Sequence, residues 1–534
     1  MKTLFHAASF MVVIALAGLS APGFAEEAGD KKKEGSSKKT PAATEIDILA
    51  EARIWHSKDY PQPARKFRKG HVTPRKLDPK AIQKTKTGFS VQFPSKAPIP
   101  TPTVYQGNLY VSGGFHSKEF YCLDGKTGEL VWGLDLDDDG PSSAACEDGS
   151  VVFNTESCTM FVVDAKTGKL LWSHWLGDPL MTAPTIAGGR VFTSYPAGGH
   201  GGFNQGGLNQ QDQQSNLPQQ KLAPKSKPKP KNRKRVPRTK LTPTHVLACF
   251  DLKTGKLIWQ RWIDSDVMSA PVAVDEDLYV TSFRGTIYKF SQVGGKLLSI
   301  EGSRVTSAPV VVGKNVFYTA RADQQDEDAA EVIVGQDRAT RKQGFAAQRK
   351  TAVYLDQKVQ QETALAQKGI QLDAGNGFAG GAPLAANAGI AGFNVGQDSV
   401  STLQAFQGSR ILNDGRYNFN CPGDEILCTD PTSGKKIWGF KLQGDLKKVG
   451  GFLAAPPVAA GGELFVSTLK GQVLRMDPKT GKVNKTYQVG APVRFQPVVQ
   501  DGRIYVGTQD GKVVCINTGD KKFTGWPTWG GNSA

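Results

Sequence analysis

The residues of this sequence that could do chemistry are few and scattered. Asp135–Asp139 is the most acid-rich run, and its carboxylates are of the type that binds Ca²⁺, although a solvated turn is the favoured interpretation. Four histidines lie in predicted loops or at strand ends, without a Ser or Cys partner in a recognisable motif: His116, His174, His200 and His245. The sequence therefore predicts neither a nucleophile activated by a base nor a glycine loop that cradles a phosphate.

A recurring motif, Asp-x-x-Thr-Gly-Lys-Leu-x-Trp, organises the chain. It occurs at Asp124–Trp132, Asp164–Trp172, Asp251–Trp259 and Asp430–Trp438, and without the Trp at Asp477–Lys485. Weaker copies begin at residues 291, 337 and 517. Successive copies begin 40 to 47 residues apart, except for two longer steps of 87 and 93 residues. This spacing indicates a repeat array with two insertions.

Each repeat has the signals of a small antiparallel sheet. The Asp caps a turn, the Gly supplies a positive φ, and apolar segments on both sides form a hairpin, as in Ala248–Asp251 and Leu257–Trp259. A second strand pair follows in Ala270–Val274 and Leu278–Val280. Four short strands per repeat predict an all-β, closed eight-bladed β-propeller, or seven blades if the fifth and sixth are one interrupted blade. Lys86–Phe93 resembles half a repeat, so we expect it to give the last blade its outer strand.

The regions outside the repeats divide the chain further. Residues 1–25 are predicted to be a signal peptide, with an uncleaved membrane anchor as the alternative, because Lys2 precedes a short apolar run and a small-residue site. Residues 26–86 are predicted to be a basic and mostly irregular linker with one short helix, Glu45–Ile54. The propeller is expected to span residues 87–530.

Two insertions are predicted within the propeller. Residues 197–244 are rich first in Gly and Gln and then in Lys and Pro, which predicts disorder. Residues 345–403 are Gly- and Ala-rich towards their end, with a helix predicted from Phe345 to about Gln371. The formal net charge of +17 lies mainly in the flexible regions, since Lys221–Lys240 holds ten Lys or Arg and no acid. Such a segment suits contact with an anionic surface, or is simply a solvated linker.

Cysteine usage argues against a metal or redox site. Four of the seven cysteines precede the first residue of a repeat by two positions, which predicts one equivalent, inward-facing packing role: Cys122, Cys249, Cys428 and Cys515. The sequence has no Cys-x-x-Cys and no adjacent pair, so neither zinc nor a redox dithiol is indicated. Two of the remaining three, Cys146, Cys158 and Cys421, could pair in an exported protein.

The motif and its period resemble the pyrroloquinoline-quinone-like repeat of eight-bladed propellers, over about residues 88–529. In that family the Trp at each repeat end stacks on the turn of the neighbouring blade. The resemblance therefore implies inter-blade docking roles for Trp132, Trp172, Trp259, Trp438, Gly128, Gly168, Gly255, Gly434 and Gly481. The run Gly525–Asn532 is similar to a family signature that usually lies near the N-terminus.

The resemblance implies one of two functions. Quinoprotein dehydrogenases hold pyrroloquinoline quinone and Ca²⁺ on the propeller axis, which requires cations for the quinone carboxylates, an oxygen-rich cage and a catalytic carboxylate. Methanol-type enzymes add a disulfide between adjacent cysteines, which this sequence lacks. Isolated arginines are the candidate cations for the axis: Arg284, Arg321 and Arg494. The other kind is a non-catalytic scaffold, such as the propeller lipoprotein of the outer-membrane β-barrel assembly machine.

The sequence favours the scaffold. We expect no enzymatic activity, no cofactor, no metal and no membrane span after signal removal. We expect a monomeric, exported protein of the periplasm or cell envelope that binds a protein or an envelope polymer. No Cys follows the signal, so it is not expected to be a lipoprotein. The alternatives are a dehydrogenase dependent on pyrroloquinoline quinone and calcium, and a polyanion-binding protein that acts through Lys221–Lys240.

Overall fold

The computed structural model describes residues 46–63, 67–155, 159–176, 183–197, 237–267, 269–282, 284–301, 304–321, 330–350, 410–445 and 453–525. The N-terminal elements are helix α1 (Ile48–Trp55), β1 (Val72–Pro74), a 3-10 turn (Pro79–Ala81), β2 (Ile82–Thr85) and β3 (Gly88–Gln92). Among the helices of these ranges, none is both long and apolar enough to cross a membrane.

The remaining strands form eight antiparallel sheets, which are the blades of a propeller. Blade 1 contains β4 (Thr103–Tyr105), β5 (Asn108–Ser112), β6 (Glu119–Asp124) and β7 (Leu130–Leu136). Blade 2 contains β8 (Ala145–Glu147), β9 (Ser150–Asn154), β10 (Thr159–Asp164) and β11 (Leu170–Trp175). Blade 3 contains β12 (Thr185–Ala187), β13 (Arg190–Pro196), β14 (His245–Asp251) and β15 (Leu257–Ile263). Blade 4 contains β16 (Val272–Val274), β17 (Asp277–Thr281), β18 (Ile287–Ser291) and β19 (Leu297–Glu301).

The second half of the ring repeats this plan. Blade 5 contains β20 (Val310–Val312), β21 (Asn315–Arg321), β22 (Ala330–Asp337) and β23 (Gln343–Lys350). Blade 6 contains β24 (Leu412–Asn413), β25 (Asn418–Asn420), β26 (Glu425–Thr429) and β27 (Lys436–Lys441). Blade 7 contains β28 (Val458–Ala460), β29 (Glu463–Thr468), β30 (Gln472–Met476) and β31 (Val483–Gln488). Blade 8 contains β32 (Val498–Gln500), β33 (Arg503–Gly507) and β34 (Lys512–Asn517), and takes its fourth strand from β3.

The repeat motif builds the turn between the third and fourth strands of a blade. In blade 3, Asp251 Oδ1 accepts from the backbone N–H of Thr254 at 2.8 Å and from its hydroxyl at 2.6 Å. The Gly255 N–H donates to Asp251 O at 2.9 Å, and Gly255 has φ 68°, which a glycine adopts without a Cβ penalty. These hydrogen bonds to the carboxylate lower the pKa of Asp251.

The ring closes through the N-terminal strand, as the sequence predicts. β3 pairs with β34 in antiparallel register, with Phe89 opposite Cys515. On the inner side, Thr101 Oγ1 of blade 1 donates to Gln496 O of blade 8 at 3.0 Å. Blades 5 and 6 each have four strands of their own, so the ring has eight blades and the seven-bladed alternative is wrong.

Residues 46–86, which we name the belt, hold more structure than the one short helix that the sequence predicts. Its helix lies at Ile48–Trp55, close to the prediction, but the belt also adds β2 to the edge of blade 8 and β1 to the edge of blade 1. An isolated bridge joins Arg68 to Trp175 of blade 2. These strands are only three or four residues long, so they have no periodicity of their own. Pairing with existing sheet edges is what makes them strands.

Buried contacts hold the belt against the ring. The Trp55 indole N–H donates to Leu241 O at 3.1 Å, and the Glu51 carboxylate accepts from the backbone N–H groups of Lys240 and Leu241. The Trp262 indole N–H donates to Pro61 O at 3.0 Å. The belt is therefore an integral part of the structure and covers the outer edges of several blades.

The limits of both predicted insertions also change. Phe345 opens the predicted helix, but it lies in β23 opposite Gly335, because the weak repeat copy at Asp337 continues into a fourth strand. Residues 351–409 lie outside the described residues. In the first insertion, residues 237–244 are described and Leu241 is buried beneath α1, whereas residues 198–236 lie outside.

Candidate functional site: the inter-blade seams and the insert-bearing face

The four motif tryptophans lie in the seams between blades. Each indole Nε1–H donates to the carbonyl of the residue that follows the first motif residue of the next blade. The pairs are Trp132 with Ala165 at 3.0 Å, Trp172 with Leu252 at 2.8 Å, Trp259 with Gln292 at 2.8 Å, and Trp438 with Pro478 at 2.9 Å. The bond satisfies the one polar group of a ring that otherwise fills apolar space.

The turn glycines provide the room for these rings. A Cβ placed on Gly168 would lie 2.8 Å from Trp132, and one on Gly255 would lie 2.6 Å from Trp172. Gly481 stands in the same relation to Trp438, at 2.6 Å. Gly128 and Gly434 share the left-handed conformation, with φ 75° and 68°. A Cβ on Gly128 would lie 2.5 Å from the ring of Phe89, which occupies the Trp position of blade 8.

Sequence reasoning missed Phe89 and Gly295 in this set. Trp259 faces Gly295, whose added Cβ would lie 2.5 Å from the indole. An alignment of the weak copy Ser291–Ser299 with the motif would have identified Gly295. The same alignment places Ser299 where blade 4 would have Trp and Arg341, at φ 60°, where blade 5 would have Gly. Without an indole opposite, the left-handed turn position tolerates a side chain.

Each repeat cysteine lies directly across the sheet from a docking ring. The pairs are Cys122 with Trp132, Cys249 with Trp259, Cys428 with Trp438 and Cys515 with Phe89. All four are buried, as the spacing predicts, and burial raises the pKa of each thiol to about 12. Cys146 and Cys421 are free thiols, so a disulfide between these two is wrong. Cys158 lies outside the described residues.

Both insertions leave the ring on one face. In antiparallel blades, the connection from second to third strand lies on the same side as the connection to the next blade. The first insertion joins β13 to β14, a second-to-third connection, and the second joins blade 5 to blade 6. We name this side the insert-bearing face. The motif turns lie on the opposite face.

The acidic run Asp135–Asp139 begins at the end of β7 and extends onto the insert-bearing face, where its carboxylates are bonded to protein groups. Asp135 pairs with Arg75 of the belt, and Asp137 Oδ2 accepts from the His71 backbone N–H at 2.8 Å. Asp138 Oδ2 accepts from the hydroxyls of two blade 2 residues, Thr155 and Thr159, each at 2.6 Å. The run therefore joins belt, blade 1 and blade 2, which corrects the expectation of a merely solvated turn.

A second aspartate repeats this arrangement between blades 3 and 4. Asp264 is fully buried, and its Oδ2 accepts from Thr286 Oγ1 at 2.9 Å. Nearby, Asp266 Oδ1 accepts from the Val267 N–H at 2.7 Å and from Ser194 Oγ at 3.2 Å. Burial raises the pKa of Asp264 and raises that of Asp266 to about 7. No sequence motif marks either residue.

The described histidines among those singled out in the sequence contact other groups of the fold. His174 Nε2 lies 2.7 Å from Gly255 O, and burial lowers the pKa of this ring, which packs against Phe67. His245 is buried, and burial lowers its pKa to about 3. His116 Nδ1 lies 4.0 Å from Asp139. His200 lies outside the described residues.

The three arginines considered for the axis are described to different extents. The Arg284 backbone N–H donates to Ser265 Oγ at 3.2 Å, and Arg494 is buried. The side chain of Arg321 lies outside the description. In the part of the chain that the structure describes, no three His, Cys, Asp or Glu side chains gather as a metal-binding group.

Comparison with known proteins supports the repeat assignment. A family model described as outer membrane protein assembly factor BamB matches residues 116–341 and 422–526, more than half of the chain. This confirms the predicted pyrroloquinoline-quinone-like repeat propeller. A search of curated proteins finds no significant match.

Solved structures of three differently named proteins are similar to the chain. Sqt1 from Saccharomyces cerevisiae is 10% identical, with 82% of this chain and 99% of Sqt1 covered and a TM-score of 0.50. BamB from Moraxella catarrhalis is 13% identical, with coverages of 81% and 97% and a TM-score of 0.49. Quinohemoprotein alcohol dehydrogenase from Comamonas testosteroni is 13% identical, with coverages of 83% and 78% and a TM-score of 0.47. The likeness to Sqt1 supports the fold alone.

Proposed function

The chain belongs to the outer membrane protein assembly factor BamB family, and we propose that it is a non-catalytic scaffold that binds a protein or an envelope polymer. The observation that carries this proposal is the use of the acids on the insert-bearing face. Asp138 clamps blade 2 to blade 1, and Asp264 clamps blade 4 to blade 3. Because each of these Asp oxygens accepts from a hydroxyl of the neighbouring blade, a role in joining the blades accounts for them without a reacting substrate.

The insert-bearing face is the proposed binding surface. Loops on a rigid scaffold commonly carry binding, and both long insertions of this chain belong to that face. The basic segment Lys221–Lys240 lies in the first insertion, so attraction to an anionic partner would act from the same side. This role combines the scaffold with the polyanion-binding alternative.

We also infer that the protein is exported to the cell envelope and acts there as a monomer. Support comes from the sequence of residues 1–25, in which a basic residue precedes an apolar run and a small-residue cleavage site. The absence of a Cys after that run argues against lipid attachment. The name of the family, an outer membrane protein assembly factor, agrees with this location.

Site-specific photo-crosslinking in intact cells tests the proposal. A photoreactive residue replaces Lys118 or Lys470 on the insert-bearing face, and Lys126 or Lys479 on the motif-turn face as matched exposed controls. We expect discrete high-molecular-mass adducts from the first pair and none from the second. Adducts from the motif-turn pair alone would show that the binding face is wrong, and no adduct at any position would contradict the scaffold role.

A further inference from the structure

A pocket of about 480 Å³ lies where the belt meets the outer edges of blades 3 and 4. Its lining includes Arg53 of α1, the C-cap residue His56, Arg261 of β15 and Lys296 in the turn before β19. The lining contains no Asp or Glu. The size is within the range of small-molecule sites, and the pocket exists only because the belt is docked on the ring.

The positive charge in this pocket is not neutralised by the protein groups that hold it. Arg261 donates from Nε to Gly295 O and from one terminal nitrogen to Gly294 O, both at 2.7 Å, and these acceptors are uncharged. Glu51, the acid of α1, binds the backbone N–H groups of Lys240 and Leu241 instead. Arg53 and Lys296 have no ion-pair partner among the described residues. An anion would therefore meet three cations in a partly desolvated site.

The His56 ring adds an unsatisfied polar atom. His56 Nε2 lies 2.9 Å from Trp262 O, and since a carbonyl only accepts, Nε2 carries the hydrogen. Nδ1 is then an acceptor, and it is buried with no hydrogen-bond partner among the described residues. Buried polar atoms of this kind normally have a partner. Because this atom is buried, a ligand in the pocket does not reach it in this structure, and the positive charge of the site comes from the three cations.

Part of the pocket is apolar. Leu49, Leu297 and Leu298 belong to its lining, and the Leu298 residue is 45% exposed although its side chain is a large aliphatic one. An exposed aliphatic side chain beside a group of cations suits a ligand with one charged and one apolar end. A purely inorganic anion would leave these contacts unused.

We propose that this belt pocket binds a phosphate monoester carried on an apolar stem. Arg53, Arg261 and Lys296 supply the positive charge, and the leucines contact the stem. The same chemistry occurs in a free alkyl phosphate and in a phosphatidic acid headgroup.

Titration calorimetry with octyl phosphate tests the proposal on the full chain. We expect one saturable site, with octanol giving no binding and inorganic phosphate binding at least tenfold more weakly. If octanol bound with the same affinity as octyl phosphate, the phosphate assignment would be overturned. If inorganic phosphate bound as tightly as octyl phosphate, the role of the apolar stem would be overturned.

Matched variants show whether binding occurs at this pocket. Arg53 and Lys296 are exposed, so Arg53→Gln with Lys296→Gln should fold normally and weaken octyl phosphate binding at least tenfold. Lys482→Gln is the control, because Lys482 follows Gly481 as Lys296 follows Gly295 but lies in blade 7. Equal affinity of the double variant and the wild type would overturn the site. Vesicles with and without phosphatidic acid separate the two sources. If the protein binds the phosphatidic acid vesicles and this binding depends on Arg53 and Lys296, the ligand is a lipid headgroup. If the protein binds monomeric octyl phosphate but not the vesicles, the ligand is a free phosphate monoester.

Discussion

At the scale of single residues, the seams rest on a contact between an indole and a glycine. The ring of Trp172 lies on Gly255, and its N–H bonds to Leu252 O, so one side chain joins blade 2 to blade 3 by packing and by a hydrogen bond. Position 255 requires glycine for two reasons: the backbone has a φ of 68°, and the indole occupies the space where a Cβ would lie. These two requirements can be separated experimentally.

Gly255→Ala should destabilise the protein more than Gly189→Ala does. Gly189 has a similar φ of 71°, but nothing lies within 4 Å of its added Cβ. We expect about 1 kcal/mol from the left-handed alanine alone at Gly189, and roughly 2 kcal/mol more at Gly255 from the clash with Trp172. Denaturant unfolding measures both values. Equal losses would mean that the indole contact contributes nothing to stability.

Asp266 should make the stability depend on pH. Its pKa is raised to about 7 by burial, whereas an unfolded Asp titrates near 3.9. The folded state therefore keeps its proton longer, and stability present below about pH 4 should be lost as the pH rises towards 7. Asp266→Asn should remove this contribution, so the fall in melting temperature between about pH 4 and 7 should be smaller than in the wild type. Asp148→Asn is a control at an exposed position. An identical pH profile for Asp266→Asn and the wild type would refute the raised pKa of the buried Asp266 carboxyl.

At the scale of elements, the belt shows where sequence-based prediction ends. The motif turns and the strands beside them were predictable, because Asp251, Thr254 and Gly255 determine their hairpin locally. β1 and β2 were not, because their strand form comes from pairing with β7 and β3. The clamps at Asp138 and Asp264 escaped prediction for a related reason, since their hydroxyl partners come from the next blade.

The belt should depend on Arg75 more than on Lys84. Arg75 pairs with Glu119, whose side chain is 10% exposed, and its Nε donates to Tyr121 OH at 2.9 Å. Lys84 pairs with Glu129, and both side chains are more than half exposed. Arg75→Gln should cost about 2 kcal/mol or more because it leaves a buried carboxylate unpaired, and Lys84→Gln less than about 0.5 kcal/mol. Comparable losses of unfolding free energy for the two variants would contradict this account of the belt.

At the scale of the whole molecule, the ring is closed by residues from its two ends. Phe89 lies opposite Cys515, and Tyr505 OH donates to Gly125 O at 2.7 Å across the same closing seam. The eight blades thus present two different faces, one with the tight motif turns and the other with the inter-blade clamps and the strand ends from which both insertions leave. The scaffold proposal depends on this difference between the two faces.

Calorimetry of the protein with pyrroloquinoline quinone and Ca²⁺ tests the central claim most directly. If the acids of the insert-bearing face serve to hold blades together, the quinone should show no saturable one-to-one binding, and mixing should produce no dye-linked oxidation of alcohols or aldoses. Weak binding that disappears at moderate salt agrees with this account, since Lys221–Lys240 attracts any tricarboxylate through screened charge. A one-to-one complex of micromolar affinity or tighter, with activity appearing on mixing, would contradict it.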